Sequence, residues 1–241
     1  MTPPLISLER VGYAPGGVDV LRDITIAGNE RRIGIVGRNG SGKTSLARVM
    51  AGLVAPDAGQ VRIAGVDVAR DRKAALGVVG ILFQNPDHQI IFPTVQEEIA
   101  FGLTQMGQTA CEVTTGVEAI LAQFEKSHWA PAPVVQLSQG QRQLVCLMSV
   151  LAMQPRVIIL DEPFAGLDIP TTLQLRRMLE RLDVTLVLIT HHPDMLANYD
   201  RVLWVDEGQI KLDGTAGDVV QAFEARMTEL GGGDDLSDLS G

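Results

Sequence analysis

Cysteine is scarce in this chain, and no apolar run is long enough to cross a bilayer. Cys111 and Cys146 are the two cysteines. They lie far apart and without metal spacing, which fits a reducing compartment and excludes a disulfide scaffold. The longest apolar stretch, Leu144 to Met153, contains Cys146 and Ser149 and falls well short of the ~20 residues of a spanning helix. It reads as a buried helix, so membrane attachment is expected only through a partner. The start, MTPPLISLER, has no basic leader followed by an apolar segment, and no signal peptide is expected. Basic residues are in deficit: 20 Lys and Arg against 29 Asp and Glu leave a net charge of −9. That balance argues against nonspecific nucleic-acid binding, which relies on basic surface. Part of it is the tail GGGDDLSDLSG (231–241), expected to be disordered for want of apolar content. His191 and His192 are adjacent at the end of an apolar run, where side chains are expected to diverge and make a poor metal pair.

What is present is a series of phosphate-handling motifs. GRNGSGKT (Gly37–Thr44) fits the P-loop pattern G-x-x-x-x-G-K-T, preceded by a strand-like run, Ile33 to Val36, and followed by a helix-compatible stretch, Thr44 to Ala51. Gly37, Gly40 and Gly42 let backbone N–H groups turn toward phosphates where a Cβ would crowd them, and the helix adds its positive end. Asn39, Gly40, Ser41, Gly42, Lys43, Thr44 and Ser45 are therefore candidate nucleotide ligands, with Lys43 reaching the β- and γ-phosphates and the Thr44 hydroxyl binding Mg²⁺. Further on, the aliphatics Val157 to Leu160 read as a parallel strand buried on both faces. Asp161 and Glu162 sit at its carboxyl end, where such sheets bind ligands; one carboxylate there can hold the Mg²⁺ shell while its neighbour orients water. LSQGQ (Leu137–Gln141) opens a helix-like stretch from Gln139 to Met153, so that a seryl hydroxyl and backbone N–H groups form a second anion site.

With these motifs in this order, the chain resembles the nucleotide-binding subunits of ABC transporters over nearly its full length. The resemblance implies ATP and Mg²⁺ as cofactors, with Lys43 and Thr44 in Walker A, Asp161 in Walker B and Glu162 as the catalytic carboxylate. It places Gln84 in the Q-loop, Ser138 to Gln141 in the signature, Asp168 of AGLD in the D-loop and His191 as the switch histidine. Catalytic roles are thus implied for Glu162, His191 and Gln84, and Mg²⁺ ligation for Thr44, Gln84 and Asp161. In the family, Ser138, Gly140 and Gln141 would face the nucleotide held by an opposing subunit, so that two copies sandwich two ATP molecules. Such contacts exist only while the γ-phosphate is present, which makes them a switch. Two positions depart from the family pattern: Gln139 replaces the first glycine of LSGGQ, and Leu144 stands where a basic residue is common. Tyr13 is either the adenine-stacking aromatic or a core residue of the first hairpin.

The segment FQNPDHQIIFPTVQEEIAFG (Phe83–Gly102) looks like the ATPases of energy-coupling-factor importers of vitamins and transition-metal ions. With LSQGQRQLVCLM and LDIPT it is most similar to the biotin-transporting group, a cobalt or nickel importer being the alternative. The resemblance implies a transmembrane coupling protein whose arginine-bearing helices dock near Asp87, Ile90, Phe92, Glu97 and Glu98, with Ile91 completing an apolar floor. Glu97 and Glu98 equally suit a helix N-terminus through its dipole. A second ATPase subunit, a homodimer because both half-sites look intact, and a small solute-binding membrane protein complete the implied complex at the cytoplasmic face of the membrane. A soluble ABC ATPase of DNA repair would need a long coiled-coil insertion, and only about 50 residues separate Gln84 from the signature; a non-hydrolysing scaffold is disfavoured because Lys43, Glu162 and His191 are all present.

The expected fold class is α/β: a P-loop NTPase (RecA-like) parallel-sheet core, a flanking antiparallel β-subdomain and an inserted helical subdomain. One ABC ATPase domain is expected over 1–230, with core 1–88 and 155–230 and helical subdomain about 95–153. Strands are expected at Ile6–Tyr13, Val20–Ile26, Gln60–Ile63, Val78–Leu82, Arg156–Leu160 and Thr185–Thr190, and a hairpin of Arg201–Val205 and Gln209–Asp213 turning at Glu207-Gly208. The helical stretch is expected to break near Ala130-Pro131-Ala132-Pro133, and a final helix to run from about Ala216 to Leu230.

Overall fold

The computed structural model describes residues 3–231; the acidic tail lies outside them apart from Gly231. The chain forms two compact units, one built from residues up to 70 together with those from 185 onward, the other from 71–184.

In the first unit, β1 (Ile6–Tyr13) pairs antiparallel with β2 (Leu21–Gly28) on one side and with β4 (Ala58–Ile63) on the other, and the short β5 (Val66–Asp67) extends the sheet past β4. Ile6, Leu8, Ile24, Ile26, Val61 and Ile63 are buried at alternate positions, the period-two pattern of a sheet with one face on the core. A second group of strands is parallel. β3 (Arg32–Val36) lies between β8 (Thr185–Thr190) and β9 (Arg201–Asp206), and β10 (Gln209–Gly214) returns antiparallel on β9. Ile33, Ile35, Val36 and Leu186 to Ile189 are all buried, because parallel strands are covered on both faces and read as unbroken aliphatic runs. The β9–β10 turn has Glu207 at φ 48° and Gly208 at φ 73°, the paired left-handed geometry of a tight hairpin. Helix α1 (Lys43–Met50) follows β3 and buries Leu46, Ala47, Val49 and Met50. The last described helix, which we label α7 (Ala216–Gly231), buries Val219 and Phe223, and the Phe223 ring meets Trp204 of β9 edge-on at 5.7 Å.

In the second unit, β6 (Val79–Leu82) and β7 (Val157–Asp161) form a parallel pair. Around it are α2 (Arg72–Leu76), α3 (Val95–Gln105), α4 (Ala110–Gln123), α5 (Gln139–Ala152) and α6 (Ile169–Glu180). The proline-rich break at 130–133 has a structural use. Its Ala130 and Ala132 carbonyls accept the Gln96 and Val95 N–H groups at 3.0 and 3.2 Å, satisfying two amides at the start of α3 that a helix cannot satisfy itself. Two buried polar side chains on α5 fix its place. Gln143 donates to the Phe83 carbonyl at the end of β6 (3.1 Å), and the Ser149 hydroxyl donates to the Glu98 carbonyl of α3 (2.9 Å).

Candidate functional site

The glycine-rich loop leaving β3 is held in shape by backbone on both sides. A Cβ at Gly37 would run into the Val205 carbonyl of β9, and one at Gly42 would come within 2.9 Å of the Val20 carbonyl. Gly42 is at φ 100°, and Gly40 is at φ 80° with open space beside it, so both need the left-handed region that glycine enters without steric cost. Between them the Ser41 carbonyl accepts the Gly208 N–H at 3.1 Å. The Lys43 ammonium, buried at 7 % exposure, donates to the Gly37 and Arg38 carbonyls at 2.7 Å each, which bends the loop around its charge. The N-cap of α1 is Gly42, with no side-chain cap, so this helix start offers its first-turn amides no oxygen of its own and suits an anion. Ser41 is buried, and its Oγ has no hydrogen-bond partner among the described residues; a hydroxyl kept in that state fits a phosphate oxygen as partner. The donor set and the shape of the loop therefore suit a polyphosphate.

Gly37 to Ser41 line a cavity of about 950 Å³ together with His191, Pro193, Asp206, Glu207 and one face of α7, Phe223, Glu224, Met227 and Thr228. The motif reading did not anticipate that helical wall, because no phosphate motif marks it. His191 stands just beyond β8, held there by the bond from the His192 N–H to the Thr190 hydroxyl (3.0 Å). Here one expectation fails: the His191 and His192 rings do not diverge but lie 4.1 Å apart, tilted by 41°. β8 ends at Thr190, so the two residues follow a turn rather than strand alternation. No cluster of three or more metal-binding side chains occurs among the described residues. Tyr13 does not line the cavity. It ends β1 opposite Leu21, and its carbonyl accepts the Val20 N–H at 2.9 Å, which joins it through the Val20 peptide to the wall beside Gly42.

The second unit carries the remaining motif residues. Asp161 closes β7 at 4 % exposure. Glu162 follows at φ 49°, a left-handed conformation uncommon outside glycine and costing on the order of 1 kcal/mol; strained backbone of this kind gathers at functional sites. Ser138 is the N-cap of α5 in a capping box: its Oγ accepts the Gln141 N–H (3.3 Å) and Gln141 Oε1 accepts the Ser138 N–H (2.8 Å). The Gln141 side chain thus holds the helix start. Gly140 abuts α6, where a Cβ would strike the Thr171 methyl. Asp168 caps α6 by accepting the Thr171 N–H at 2.8 Å, and bonds from the Thr171 side chain and backbone lower its pKa. Gln84 is exposed directly after β6.

The docking segment needs one correction. Glu98 does not face a partner: it is 5 % exposed, and its Oε2 accepts the Ile91 and Phe92 N–H groups at 2.8 and 2.9 Å. A buried carboxylate costs too much to leave unbonded, so it ties its own loop to α3. Glu97 likewise reaches back to the Thr94 N–H (3.2 Å) as the acidic member of a capping box, in keeping with the helix-start reading. Asp87 pairs with Arg142 Nε at 3.0 Å while staying largely exposed, Ile91 is 69 % exposed, and Phe92 packs against Phe101 with centroids 5.1 Å apart and the rings tilted by 42°.

Comparison with known proteins decides the family. Residues 23–165 match the ABC transporter domain, and the chain is 50 % identical to the biotin transport ATP-binding protein BioM of Rhodobacter capsulatus over 225 residues, 93 % of this chain and 96 % of that protein. The chain belongs to the ABC transporter family. It is an ATPase with the α/β fold of that family, binding ATP and hydrolysing it with Mg²⁺. It is also 35 % identical to the energy-coupling factor transporter ATP-binding protein EcfA1 of Caldanaerobacter subterraneus, covering 85 % of this chain and 76 % of that one. Among solved structures it is similar to cbiO1 of Clostridium perfringens, part of the ABC transporter complex cbiONQ. The TM-score is 0.78 at 28 % identity, over 95 % of this chain and 96 % of that one. Seen as an ABC ATPase, its two departures have local explanations. Leu144 is buried on α5, where a basic side chain would be desolvated, and Gln139 donates to the Ala165 carbonyl at 3.3 Å, a contact that glycine cannot make. No helix among the described residues is long and apolar enough to cross a membrane.

Proposed function

We propose that this ATPase works as a homodimer energising an importer of the energy-coupling-factor type, with biotin as the transported solute. The observation that carries the reading is the coexistence of two complementary anion sites in one chain: the P-loop cradle with the Lys43 ammonium bonded to its carbonyls, and a capped helix start presenting Ser138 and Gly140. One chain supplies the first to its own nucleotide and the second to its partner's. The exposed apolar side chains of Val135, Ile169 and Leu173, which flank the signature and the D-loop in sequence, suit burial by the second copy.

In this mechanism Lys43 and the α1 amides hold the β- and γ-phosphates. Thr44, Gln84 and Asp161 would hold Mg²⁺, which would supply charge neutralisation at the phosphoryl oxygens. Glu162 orients the attacking water and takes its proton, and His191 donates to the γ-phosphate. Asn39, Ser41, Ser45 and Gln141 complete or support the phosphate contacts, and Tyr13, outside the cavity lining, is the adenine-stacking aromatic or a core residue of the first hairpin. Loss of the γ-phosphate removes the Ser138 and Gly140 contacts and opens the pair. The loop around Asp87, Ile90, Ile91 and Phe92 receives a basic helix of a transmembrane coupling protein, Asp87 supplying charge and Ile91 apolar area. That protein and a small biotin-binding membrane protein hold the ATPase at the cytoplasmic face of the membrane. The identity to BioM across nearly the whole of both chains supports the solute; the likeness to EcfA1 and cbiO1 supports the importer type.

Purification of the tagged chain from gently solubilised native membranes tests the reading. Recovery with a helical membrane protein and a small biotin-binding one is expected, and recovery with soluble partners alone would overturn it. Glu162→Gln is expected to retain ATP, accumulate a dimer and lose at least 100-fold in hydrolysis, the typical worth of a positioned base. Equal rates for the two proteins would remove Glu162 from catalysis.

A further inference from the structure

Gln139 stands where the family usually has glycine, and its side chain spans from the start of α5 to the loop that leaves β7. Its Nε2 donates to the Ala165 carbonyl at 3.3 Å. The Ala165 N–H in turn donates to the Glu162 carbonyl at 3.1 Å. Two hydrogen bonds thus run in one direction from the signature to the backbone of the proposed catalytic carboxylate, with a single residue between them, and bonds in such a chain polarise one another. The amide also lies over Gly166, whose φ is 73° and whose added Cβ would come within 2.9 Å of Nε2. The loop ends at Asp168, the cap of α6, and one turn later Thr171 abuts Gly140. The 162–168 loop is therefore bonded to the signature through Gln139, a side chain that glycine lacks, while the helix that follows packs against Gly140.

We infer that Gln139 is a positioning residue that couples the two ATP sites of the pair. The inference rests on the sandwich arrangement proposed above. In that arrangement Ser138 reads the γ-phosphate held by the partner, while Glu162 serves the nucleotide of its own chain. A shift of the α5 start on engaging phosphate passes through Gln139 and Ala165 to Glu162, so that occupancy of one site sets the readiness of the other.

The test measures ATP hydrolysis against ATP concentration for the full-length chain, Gln139→Gly and Gln139→Glu, the last retaining shape and helix preference but losing the donor. The wild type is expected to respond sigmoidally. Both variants are expected to respond hyperbolically with kcat lower by roughly two- to fivefold, the effect of one exposed neutral hydrogen bond, and with half-saturating ATP and thermal midpoint unchanged. A purely structural role would move the midpoint and leave cooperativity intact. Cooperativity and kcat equal to wild type in both variants would overturn the inference, as would a hyperbolic wild type. The parallel measurement is the ATP-dependent dimer of Glu162→Gln, alone and with each Gln139 change. If that dimer never forms, the sandwich reading fails and this inference with it; if it forms throughout while cooperativity is unaffected by Gln139, the coupling alone fails.

Discussion

Replacing Glu98 with alanine removes a single acceptor from two amides and leaves the rest of α3 in place. Oε2 receives the Ile91 N–H at 2.8 Å and the Phe92 N–H at 2.9 Å, on a side chain that is 5 % exposed. A hydrogen bond to a carboxylate contributes about 1.5–3 kcal/mol. Two bonds sharing one oxygen contribute less than their sum, so about 3 kcal/mol is a fair value for the pair. At 1.4 kcal/mol per factor of ten, local opening of the loop becomes roughly 100-fold more frequent. The direct assay is amide hydrogen exchange at Ile91 and Phe92, with the buried α5 residue Val145 as internal reference. Glu98→Gln keeps an oxygen in place with weaker, neutral bonds and is expected to accelerate the two amides by only about tenfold. Exchange at wild-type rates in Glu98→Ala would refute the argument that this carboxylate organises the loop. Global acceleration including Val145 would refute its local character.

Gly140→Ala is expected to cost about 1–3 kcal/mol by driving a methyl into Thr171 and to slow hydrolysis; adding Thr171→Ser removes the opposing methyl and is expected to restore both, which urea denaturation and ATPase rate together would check. Cys146 is buried, and desolvation, reinforced by the nearby Glu98 charge, pushes its thiol up to about 12, whereas Cys111 is exposed. The thiolate is the reactive form, so a thiol reagent at pH 8 is expected to label Cys111 alone in the folded chain and both cysteines in denaturant; mass spectrometry of the labelled peptides would show otherwise if the burial were wrong.

How much was legible in sequence differs by kind of signal. The P-loop, the acidic end of β7 and the β9–β10 turn at Glu207-Gly208 were readable because each depends on residue types with few alternatives: glycine at positive φ, a lysine beside it, a carboxylate ending an aliphatic run. β1 and β8 fell where alternation and an unbroken aliphatic run put them. Helix α6 carries a start signal, Asp168 then Pro170, that is visible locally, yet its apolar periodicity is weak because Ile169 and Leu173 face outward. Three other features are tertiary and left no local trace. Glu98 in the first turn of a helix looks like a surface dipole partner until the returning 91–92 backbone is seen above it. The contact of α7 with the P-loop cavity depends on where β9 and β10 carry the chain. The close approach of the His191 and His192 rings follows from a strand ending one residue before them.

The glycine-rich loop is fastened at Gly37 by β9, at Ser41 by the β9–β10 turn and at Gly42 by the start of β2, three anchors that belong to the protein's own backbone. Its curvature is consequently a property of folding, settled before any nucleotide arrives. Binding then carries little of the ordering entropy that a floppy loop would surrender, and its heat-capacity change reports desolvation of the contact surface rather than coupled folding. The same anchoring ties nucleotide affinity to regions remote from the phosphate motifs: a substitution that shifts Val20 or Val205 deforms the cradle as surely as one within it.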